Sequence, residues 1–477
     1  MAEGRDYTHE AYQAPFTERY APQIGGTVIL LLLVIGLAIW KPWIDKGRKP
    51  TNLHPEKPVR LSTAKNVRIL QSRPTSRVAI HGAAIYVGWV DNRSTPPSVV
   101  MATSSDTGRT FSEQVLEQPP EGKTVSEPAV LCDSTGAIYL LYTFDEIAVH
   151  DKSHTSLTTH GENGQSKTTS NARNPLGSAA STNARLARST DGGATWKQVV
   201  TVGSIYTHDL ADPVMGIDVN DTIHVAAIGW VDGVQQVLVT RSVNHGESFE
   251  PDVEVSQADH GTRRDVGIAV TPTGRCAVVW SDLRNAPDLP ENGIIFGALS
   301  NVGDKFSNEI ALVRPALKPG RQRYPQVLLD DKGHLGIVFV EGVDKDHREK
   351  TVLRYAYSSA FGAKFNDSST LFERQLQDPS SPQVVHGKGL YWYLVCLGTL
   401  TDYNQPTVAI AESRDGGRNF SALTPVADRF APSMAFPSLA AQENTVVVSY
   451  FDHADPEGKP GTNEAYAVRI VDKAVAP

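Results

Sequence analysis

The chain has 477 residues, of which 40% are hydrophobic and 21% charged, a composition typical of a globular protein. Its 38 glycines and 30 prolines, beside only 4 methionines, favour many turns and few long helices, and so an all-β architecture. A formal net charge of −8 excludes the basic surface of nucleic-acid-binding proteins, so neither DNA nor RNA is an expected partner. Three widely separated cysteines exclude a disulfide framework and a Cys-x-x-Cys metal or redox site.

The first predicted element is an apolar stretch from Ile24 to Trp40, with no charged residue between Arg19 and Lys41. Its length is close to the ~20 residues that a helix needs to cross a bilayer. Aromatic side chains suited to the headgroup zone flank it at Tyr20, Trp40 and Trp43. The alternatives are a signal peptide or a buried core helix, but residues 1–23 contain four acidic residues and no lysine, unlike a basic signal-peptide start. We therefore predict an aromatic arm at residues 1–23, a single-pass transmembrane helix at 24–40 and a Pro- and Lys-rich linker at 41–58.

The sequence does not determine on which side of the membrane the rest of the chain lies. Lys41, Lys46, Arg48 and Lys49 follow the apolar stretch directly, and positive charge after a membrane helix favours the cytoplasm. The fold predicted below is met more often outside the cell. The predicted localisation is thus the cell membrane, without a side.

A recurring phrase, Ser-x-Asp-x-Gly-x-x-aromatic, dominates the chain after about residue 70. Clear copies are Ser104–Phe111, Ser189–Trp196 and Ser413–Phe420, and degenerate copies are Ser242–Phe249, Leu299–Phe306 and Ser358–Phe365. Its key positions are Asp106, Gly108, Phe111, Asp191, Gly193, Trp196, Asn244, Gly246, Phe249, Asn301, Gly303, Phe306, Gly362, Phe365, Asp415, Gly417 and Phe420. The motif glycines lie 53 to 59 residues apart, except for one interval of 85 that contains a polar insertion at about 147–183. Periods of this size are typical of propellers, and the insertion predicts a long loop.

Apolar, β-rich runs accompany the phrase, for example Ile85–Asp91 and Ile138–Asp145. Fully apolar strands of this length suit sheets that are covered on both faces, as in propeller blades. Six motifs indicate six blades, whereas seven apolar runs, the last at Thr445–Asp452, indicate seven; we favour seven, with six as the alternative. The last unit has room for only three strands. We expect Val59–Leu70 to supply the fourth, so that residues 59–477 form a ring closed by both chain ends.

The phrase resembles the Asp-box of the bacterial neuraminidase repeat, which occurs in sialidases, in many propellers that are not sialidases and in sortilin-like receptors. In a tight turn the Ser and Asp oxygens would accept hydrogen bonds from amides, the glycine would take a positive φ and the aromatic ring would pack into the blade core. The resemblance implies a sialidase-like β-propeller over about residues 70 to 475.

The resemblance also implies a kind of catalytic site. Sialidases hold a sugar carboxylate with arginines and use a tyrosine nucleophile assisted by a glutamate. The candidates here are Arg77, Arg93, Arg323 and Tyr450, with Glu341 as a positional candidate and Arg263–Arg264 as a further arginine pair. The match is incomplete, because Val78 and Ala79 follow Arg77 where the family carries Arg-Ile-Pro, and Thr95–Ser98 fills the place of an expected Asp. No histidine spacing indicates a metal, and no cofactor is expected.

These features support two hypotheses of function. The first is a membrane-anchored, non-enzymatic propeller that serves as an accessory or scaffold subunit of a multi-subunit membrane complex, such as a respiratory or photosynthetic assembly. Its partners would be integral membrane subunits, contacted by the anchor and the aromatic arm, and the lipid bilayer. The alternative is a sialidase-like exo-glycosidase or glycan-binding protein at the cell surface.

Overall fold

The computed structural model describes residues 51–62, 76–91, 93–146, 184–203, 210–259, 261–284, 293–301, 305–312, 322–345, 348–366, 368–403, 405–427, 435–452 and 464–474. All of them belong to one compact unit, Thr51–Pro477. The predicted arm, the predicted transmembrane helix and the insertion at 147–183 lie outside the described residues. Within the described ranges, no helix is long and apolar enough to cross a membrane.

The first three antiparallel sheets take their strands in chain order. Sheet 1 contains Val78–His81, Ala84–Asp91, Ser98–Ser104 and Ser112–Glu117. Sheet 2 has a divided first strand, Lys123–Val125 and Ala129–Cys132, followed by Ile138–Glu146, Ala184–Ser189 and Lys197–Thr201. Sheet 3 contains Ala211–Ile217, Ile223–Val231, Val234–Ser242 and Val253–Glu254.

The remaining four sheets repeat this order. Sheet 4 contains Arg263–Val270, Cys276–Asp282, Ile294–Ser300 and Ile310–Ala311, and sheet 5 contains Gln322–Leu329, Leu335–Lys345, Arg348–Ser358 and Ser369–Thr370. Sheet 6 contains Leu376–His386, Trp392–Leu400, Gln405–Ser413 and Thr424–Pro425. Sheet 7 contains Ala435–Gln442, Thr445–Asp452 and Glu464–Asp472, and its outer edge is formed by Leu53–Pro55 and Val59–Arg60 from the beginning of the chain.

The seven sheets are the blades of a propeller. Their first strands contact one another in a closed ring, in which the first strand of sheet 7 lies beside that of sheet 1. Seven apolar clusters fill the seven spaces between adjacent sheets. The all-β fold and the seven blades are confirmed, and the six-bladed alternative is excluded. The motif count fell one short because blade 7 is completed by strands from the other end of the chain, so it needs no turn between its third and fourth strands.

The outer edge of blade 7 differs in detail from the expected Val59–Leu70. Leu53 pairs with Asp472 and Val59 pairs with Ala467, both in antiparallel register. Leu53 is buried in the apolar cluster between blades 6 and 7. Burial of this side chain on the blade explains why the strand begins within the segment that we had predicted to be linker.

The repeated phrase forms the turn between the third and fourth strands, which we call the motif turn. In blade 1 the Gly108 amide donates to Ser104 Oγ at 2.9 Å, and the Thr110 amide donates to Asp106 Oδ1 at 2.9 Å. The glycine has a φ of +85°. Hydrogen bonds from Thr110 hold the pKa of Asp106 well below its usual range. The same pair of bonds recurs in blades 2, 3 and 6.

The motif aromatics each pack against a different inter-blade cluster. They are Phe111, Trp196, Phe249, Phe306, Phe365 and Phe420. The motif turns therefore mark one rim of the propeller, and the starts of the first strands mark the opposite rim.

Candidate functional site

A β-bulge interrupts the first strand of blades 3 to 7 near its start. At the first bulge of each strand one residue takes a left-handed backbone conformation, with φ between 47° and 57°: Asp212, Asp265, Tyr324, Asp378 and Phe436. Such a conformation costs a residue with a side chain about 1–3 kcal/mol, and bulges of this kind are common next to active sites. The backbone feature belongs to the fold, because it repeats, whereas the side chain on it changes from blade to blade. We call these five residues the bulge ring.

Hydrogen bonds join the bulges of three successive blades. The Asp265 amide donates to Asp212 Oδ2 at 3.4 Å, and the Tyr324 amide donates to Asp265 Oδ2 at 3.4 Å. Arg264 Nε lies 3.9 Å from Asp265 Oδ2, and Arg323 directly precedes Tyr324. The residues of intermediate exposure in this sector are Asp212, Arg264, Asp265, Arg323 and Tyr324. Blades 3 to 5 thus join the carboxylates of Asp212 and Asp265 to the backbone of the next blade at one sector of the rim, with the Arg264 guanidinium beside Asp265.

Arg77 lies across the ring, where it joins blades 7, 1 and 2, and it is 1% exposed. Its amide donates to Ser438 Oγ at 2.9 Å, its guanidinium donates to the Phe436 carbonyl, and its Cζ lies 4.4 Å from the Phe451 ring centroid. Glu127 Oε2 is 3.9 Å from Arg77 Nη1. Burial lowers the pKa of Arg77 to about 10 and raises the pKa of Glu127 to about 7. This burial gives Arg77 a role between blades and leaves it no surface for a ligand.

Arg93 also has a partner in its own blade. It bonds to the carboxylates of Asp91 and Glu113 and so ties the loop after the second strand to the outer strand. The same arrangement occurs in blade 4, where Arg284 Nη2 lies 2.7 Å from Asp282 Oδ2 and 3.0 Å from Glu309 Oε2. The shared sequence Trp-x-Asp-x-Arg therefore encodes an arginine that links the end of the second strand to the outer strand of the same blade by salt bridges.

The predicted catalytic tyrosine and glutamate are placed apart. Tyr450 is 3% exposed and stacks on Tyr466 in blade 7, with ring centroids 5.7 Å apart. Glu341, in blade 5, accepts hydrogen bonds from Arg354 Nε at 2.8 Å and from Gln322 Nε2 at 3.2 Å. Neither the stacking contact of Tyr450 nor these hydrogen bonds of Glu341 involve a residue of the bulge ring.

The two arginines of the predicted pair, Arg263 and Arg264, make different contacts. Arg263 is buried and donates to the carbonyls of Gln235 and Gly261, both at 2.7 Å, which fixes the entry to blade 4. Arg264 reaches the bulge ring, as described above. Of the candidates from the sequence, Arg264 and Arg323 stand near the starts of the first strands of the neighbouring blades 4 and 5. Arg77 contacts the bulge ring at the Phe436 carbonyl, and Arg93 and Tyr450 lie elsewhere.

Sequence analysis did not single out Asp212, Asp265, Asp378, Phe436 or Glu127. Glu127 and four of the five bulge residues share an acidic or aromatic residue before proline at the start of a unit: Glu127-Pro128, Asp212-Pro213, Tyr324-Pro325, Asp378-Pro379 and Phe436-Pro437. Asp265 precedes Val266 and lacks this signal. This signal is only two residues long and is not part of a periodic apolar pattern. It is therefore much less conspicuous in the sequence than the eight-residue turn motif.

A second group of polar side chains lies on the opposite rim. Atoms of Asp133, Asp221 and His245 come within 4.8 Å of one another. The Ser134 amide donates to Asp221 at 2.8 Å, and the Ala137 amide donates to Asp133 at 2.8 Å. Since both carboxylates are engaged by turns, we assign this group to the packing of blades 2 and 3.

No family model and no curated protein matches the sequence. Among solved structures, the chain is similar to an ulvan lyase of a new polysaccharide lyase family, with a TM-score of 0.52 and 13% identity over 87% of this chain and 96% of the lyase. Polysaccharide lyase Uly1 gives a TM-score of 0.52 and 11% identity over 85% and 92%. A Hadza microbial sialidase, Hz136, gives 0.43 and 14% identity over 87% and 67%. The two lyases share the fold of this chain along nearly its whole propeller.

Proposed function

We propose that the protein acts on glycans, and that it binds them at the bulge ring of blades 3 to 5. The observation that carries this proposal is the hydrogen-bonded series Asp212, Asp265 and Tyr324, with Arg264 beside Asp265 and with Arg323 directly before Tyr324 in the sequence. Fold similarity to polysaccharide lyases supports the glycan hypothesis better than the accessory-subunit hypothesis.

The chemistry of these side chains suits a saccharide. Guanidinium groups form paired hydrogen bonds with carboxylate or sulfate groups and also donate to hydroxyls. Asp212 and Asp265 can accept hydroxyl hydrogen bonds or a proton. The Tyr324 side chain packs against the apolar cluster between blades 5 and 6, and its hydroxyl can donate or accept a hydrogen bond. Because all of them stand on the first strands of a closed ring, the scaffold holds them in fixed positions.

Binding to anionic polysaccharides tests the proposal. We expect the full-length protein to bind at least one of a panel that includes ulvan and sialylated glycans. Arg323→Ala should weaken that binding about 10- to 100-fold, since a hydrogen bond to a charged group contributes about 1.5–3 kcal/mol. Cleavage is followed in the same samples by new reducing ends and by the absorbance of unsaturated products.

Arg109→Ala is the matched control. Arg109 is exposed on the motif turn of blade 1, at the other rim, and its loss should leave glycan binding unchanged. Equal weakening by both substitutions, or no binding of the parent protein to any member of the panel, would overturn the proposed site.

The membrane anchor is a separate proposal from the sequence. We propose that residues 24–40 hold the propeller at the cell membrane, which is compatible with a glycan-binding role. Partnership with integral membrane subunits stays a prediction. Mild-detergent extraction followed by native mass analysis tests it: co-migrating membrane subunits in fixed ratio would support an accessory role, and a lone chain would argue against it.

A further inference from the structure

The second and third strands of blade 3 continue past the first strand on the rim of the bulge ring. Ala211 begins the first strand and pairs with Ile228, whereas the second strand continues to Val231. Trp230 lies in this projecting hairpin, two residues beyond Ile228, and so about 7 Å beyond the start of the first strand. Asp212 of the bulge ring directly follows Ala211. The hairpin therefore stands beside the proposed glycan site.

Trp230 differs from the other described tryptophans in its surroundings. Trp89, Trp280 and Trp392 are completely buried, and Trp196 packs against the cluster between blades 1 and 2. Trp230 has intermediate exposure and belongs to none of the seven inter-blade clusters of the described residues. A large aromatic side chain that is only partly covered, on a rim that also carries polar groups, is typical of a ligand site.

Two observations place the Trp230 side chain on the face of the hairpin that is turned toward blade 4. Side chains alternate between the two faces of a strand, and Ala226 and Ile228 of the same strand pack in the cluster between blades 3 and 4. Trp230 also lies directly opposite Gln235, so the two side chains share a face. Gln235 Oε1 accepts a hydrogen bond of 2.6 Å from the amide of Arg263, the first residue of blade 4.

The face that carries Trp230 borders the charged groups of the site. Arg263 is followed directly by Arg264 and by Asp265, the bulge residue of blade 4. Arg264 Nε lies 3.9 Å from Asp265 Oδ2, and both residues have intermediate exposure. The Arg263 guanidinium donates to the Gln235 carbonyl at 2.7 Å, which fixes the hairpin of blade 3 against the start of blade 4. An aromatic surface and a polar cluster thus belong to the same sector of the rim.

We propose that Trp230 forms the apolar side of the glycan site and that one face of a pyranose ring stacks on its indole. The sugar that fits the site is an anionic pyranose, which carries a carboxylate or a sulfate. Its C–H face packs on the indole, its hydroxyls donate to Asp212 and Asp265, and its acid group accepts from Arg264. The proposal rests on the glycan site of blades 3 to 5 and adds the residue that recognises the sugar ring.

Binding of four glycans to the full-length protein in detergent tests the proposal. Polygalacturonate and a sialylated glycan carry carboxylates, carrageenan carries sulfates, and dextran is neutral. We expect at least one anionic glycan to bind more tightly than dextran, and tighter binding of dextran would contradict the anionic class. Trp230→Ala should weaken the binding about 10-fold or more, because truncation of a central aromatic side chain in a binding site commonly has this effect. Trp230→Phe should keep most of the affinity, since a flat aromatic face remains.

Tyr403→Ala is the matched control. Tyr403 is an exposed aromatic side chain between the second and third strands of blade 6, on the same rim but outside the sector of blades 3 to 5. Its loss should leave the affinity unchanged. If Trp230→Ala bound the glycan as tightly as the parent protein, or if Tyr403→Ala weakened the binding equally, the stacking role of Trp230 would be wrong.

The outcomes separate the role of Trp230 from the glycan site itself. A parent protein that binds none of the four glycans overturns both proposals. A parent protein whose binding is weakened by Arg323→Ala but not by Trp230→Ala overturns only the stacking role.

A second measurement needs no variant to fold. In hydroxyl-radical footprinting of the parent protein, read by mass spectrometry, the bound glycan should lower the oxidation of the peptide that contains Trp230. The peptide that contains Tyr403 should be oxidised equally with and without glycan. Unchanged oxidation of the Trp230 peptide at saturating glycan contradicts the proposal.

Discussion

At the residue scale, the motif glycines are required by both backbone conformation and space. Gly417 has a φ of +82°, and a Cβ there would overlap the buried ring of Trp392 and the hydroxyl of Tyr355. Gly389 has a similar φ of +67°, but a Cβ there would meet no atom within 4 Å. The two positions separate backbone strain from steric overlap.

Alanine substitution at these two glycines should therefore have unequal costs. Gly389→Ala should lower the free energy of unfolding by about 1–2 kcal/mol, the cost of a left-handed residue with a Cβ. Gly417→Ala should lower it by about 2–5 kcal/mol, because overpacking of the Trp392 site adds to the same strain. Urea unfolding of both variants measures the difference, and equal losses would contradict the packing of the motif turn against the blade.

The sequence revealed these residues because their chemistry repeats with the fold. Gly and the aromatic residue recur at each motif turn, in most copies with Ser and with Asp or Asn, so a local pattern was enough to place them. The bulge residues could not be found in the same way, since their side chains differ among blades and only the backbone conformation and, in four of the five, a following proline repeat. The contact between Asp265 and Tyr324 joins residues 59 positions apart, which no local pattern indicates.

At the scale of strands and blades, Arg77 and Glu127 form a polar link through an apolar interface. Arg77→Met should lower the free energy of unfolding by about 3–5 kcal/mol at pH 8, because it leaves the Glu127 carboxylate buried without its cation. The cost should be smaller at pH 5, below the Glu127 pKa of about 7, where the carboxyl group is protonated and neutral.

Urea unfolding at the two pH values measures this effect. Adding Glu127→Gln to Arg77→Met should recover much of the stability at pH 8, since both members of the ion pair are then uncharged. If the single substitution instead left stability unchanged and abolished glycan cleavage, Arg77 would be catalytic, as the sialidase resemblance implied.

The strands themselves were largely predictable. Second strands such as Cys276–Asp282 are buried along their whole length, and their continuous apolar sequences predicted sheets covered on both faces. The outer strands were harder, because several contain only two residues and carry little apolar signal. The closing strands at Leu53–Pro55 and Val59–Arg60 have the same weakness, which is why their position was predicted several residues too late.

At the scale of the whole molecule, seven blades form a rigid ring whose two rims differ in character. One rim is built from repeated turns that satisfy their own hydrogen bonds. The other carries bulges with strained backbones and changing side chains, of which those in blades 3 to 5 are polar and joined in series. A repeated scaffold with one distinctive sector is where a binding site is expected.

A co-crystal structure with the anionic glycan that binds most tightly tests the central claim most directly. The account predicts that the saccharide contacts Arg323, Tyr324 and Asp265 at the start of the first strands of blades 4 and 5. A glycan bound only on the rim of the motif turns, or only along outer strands, would contradict the account.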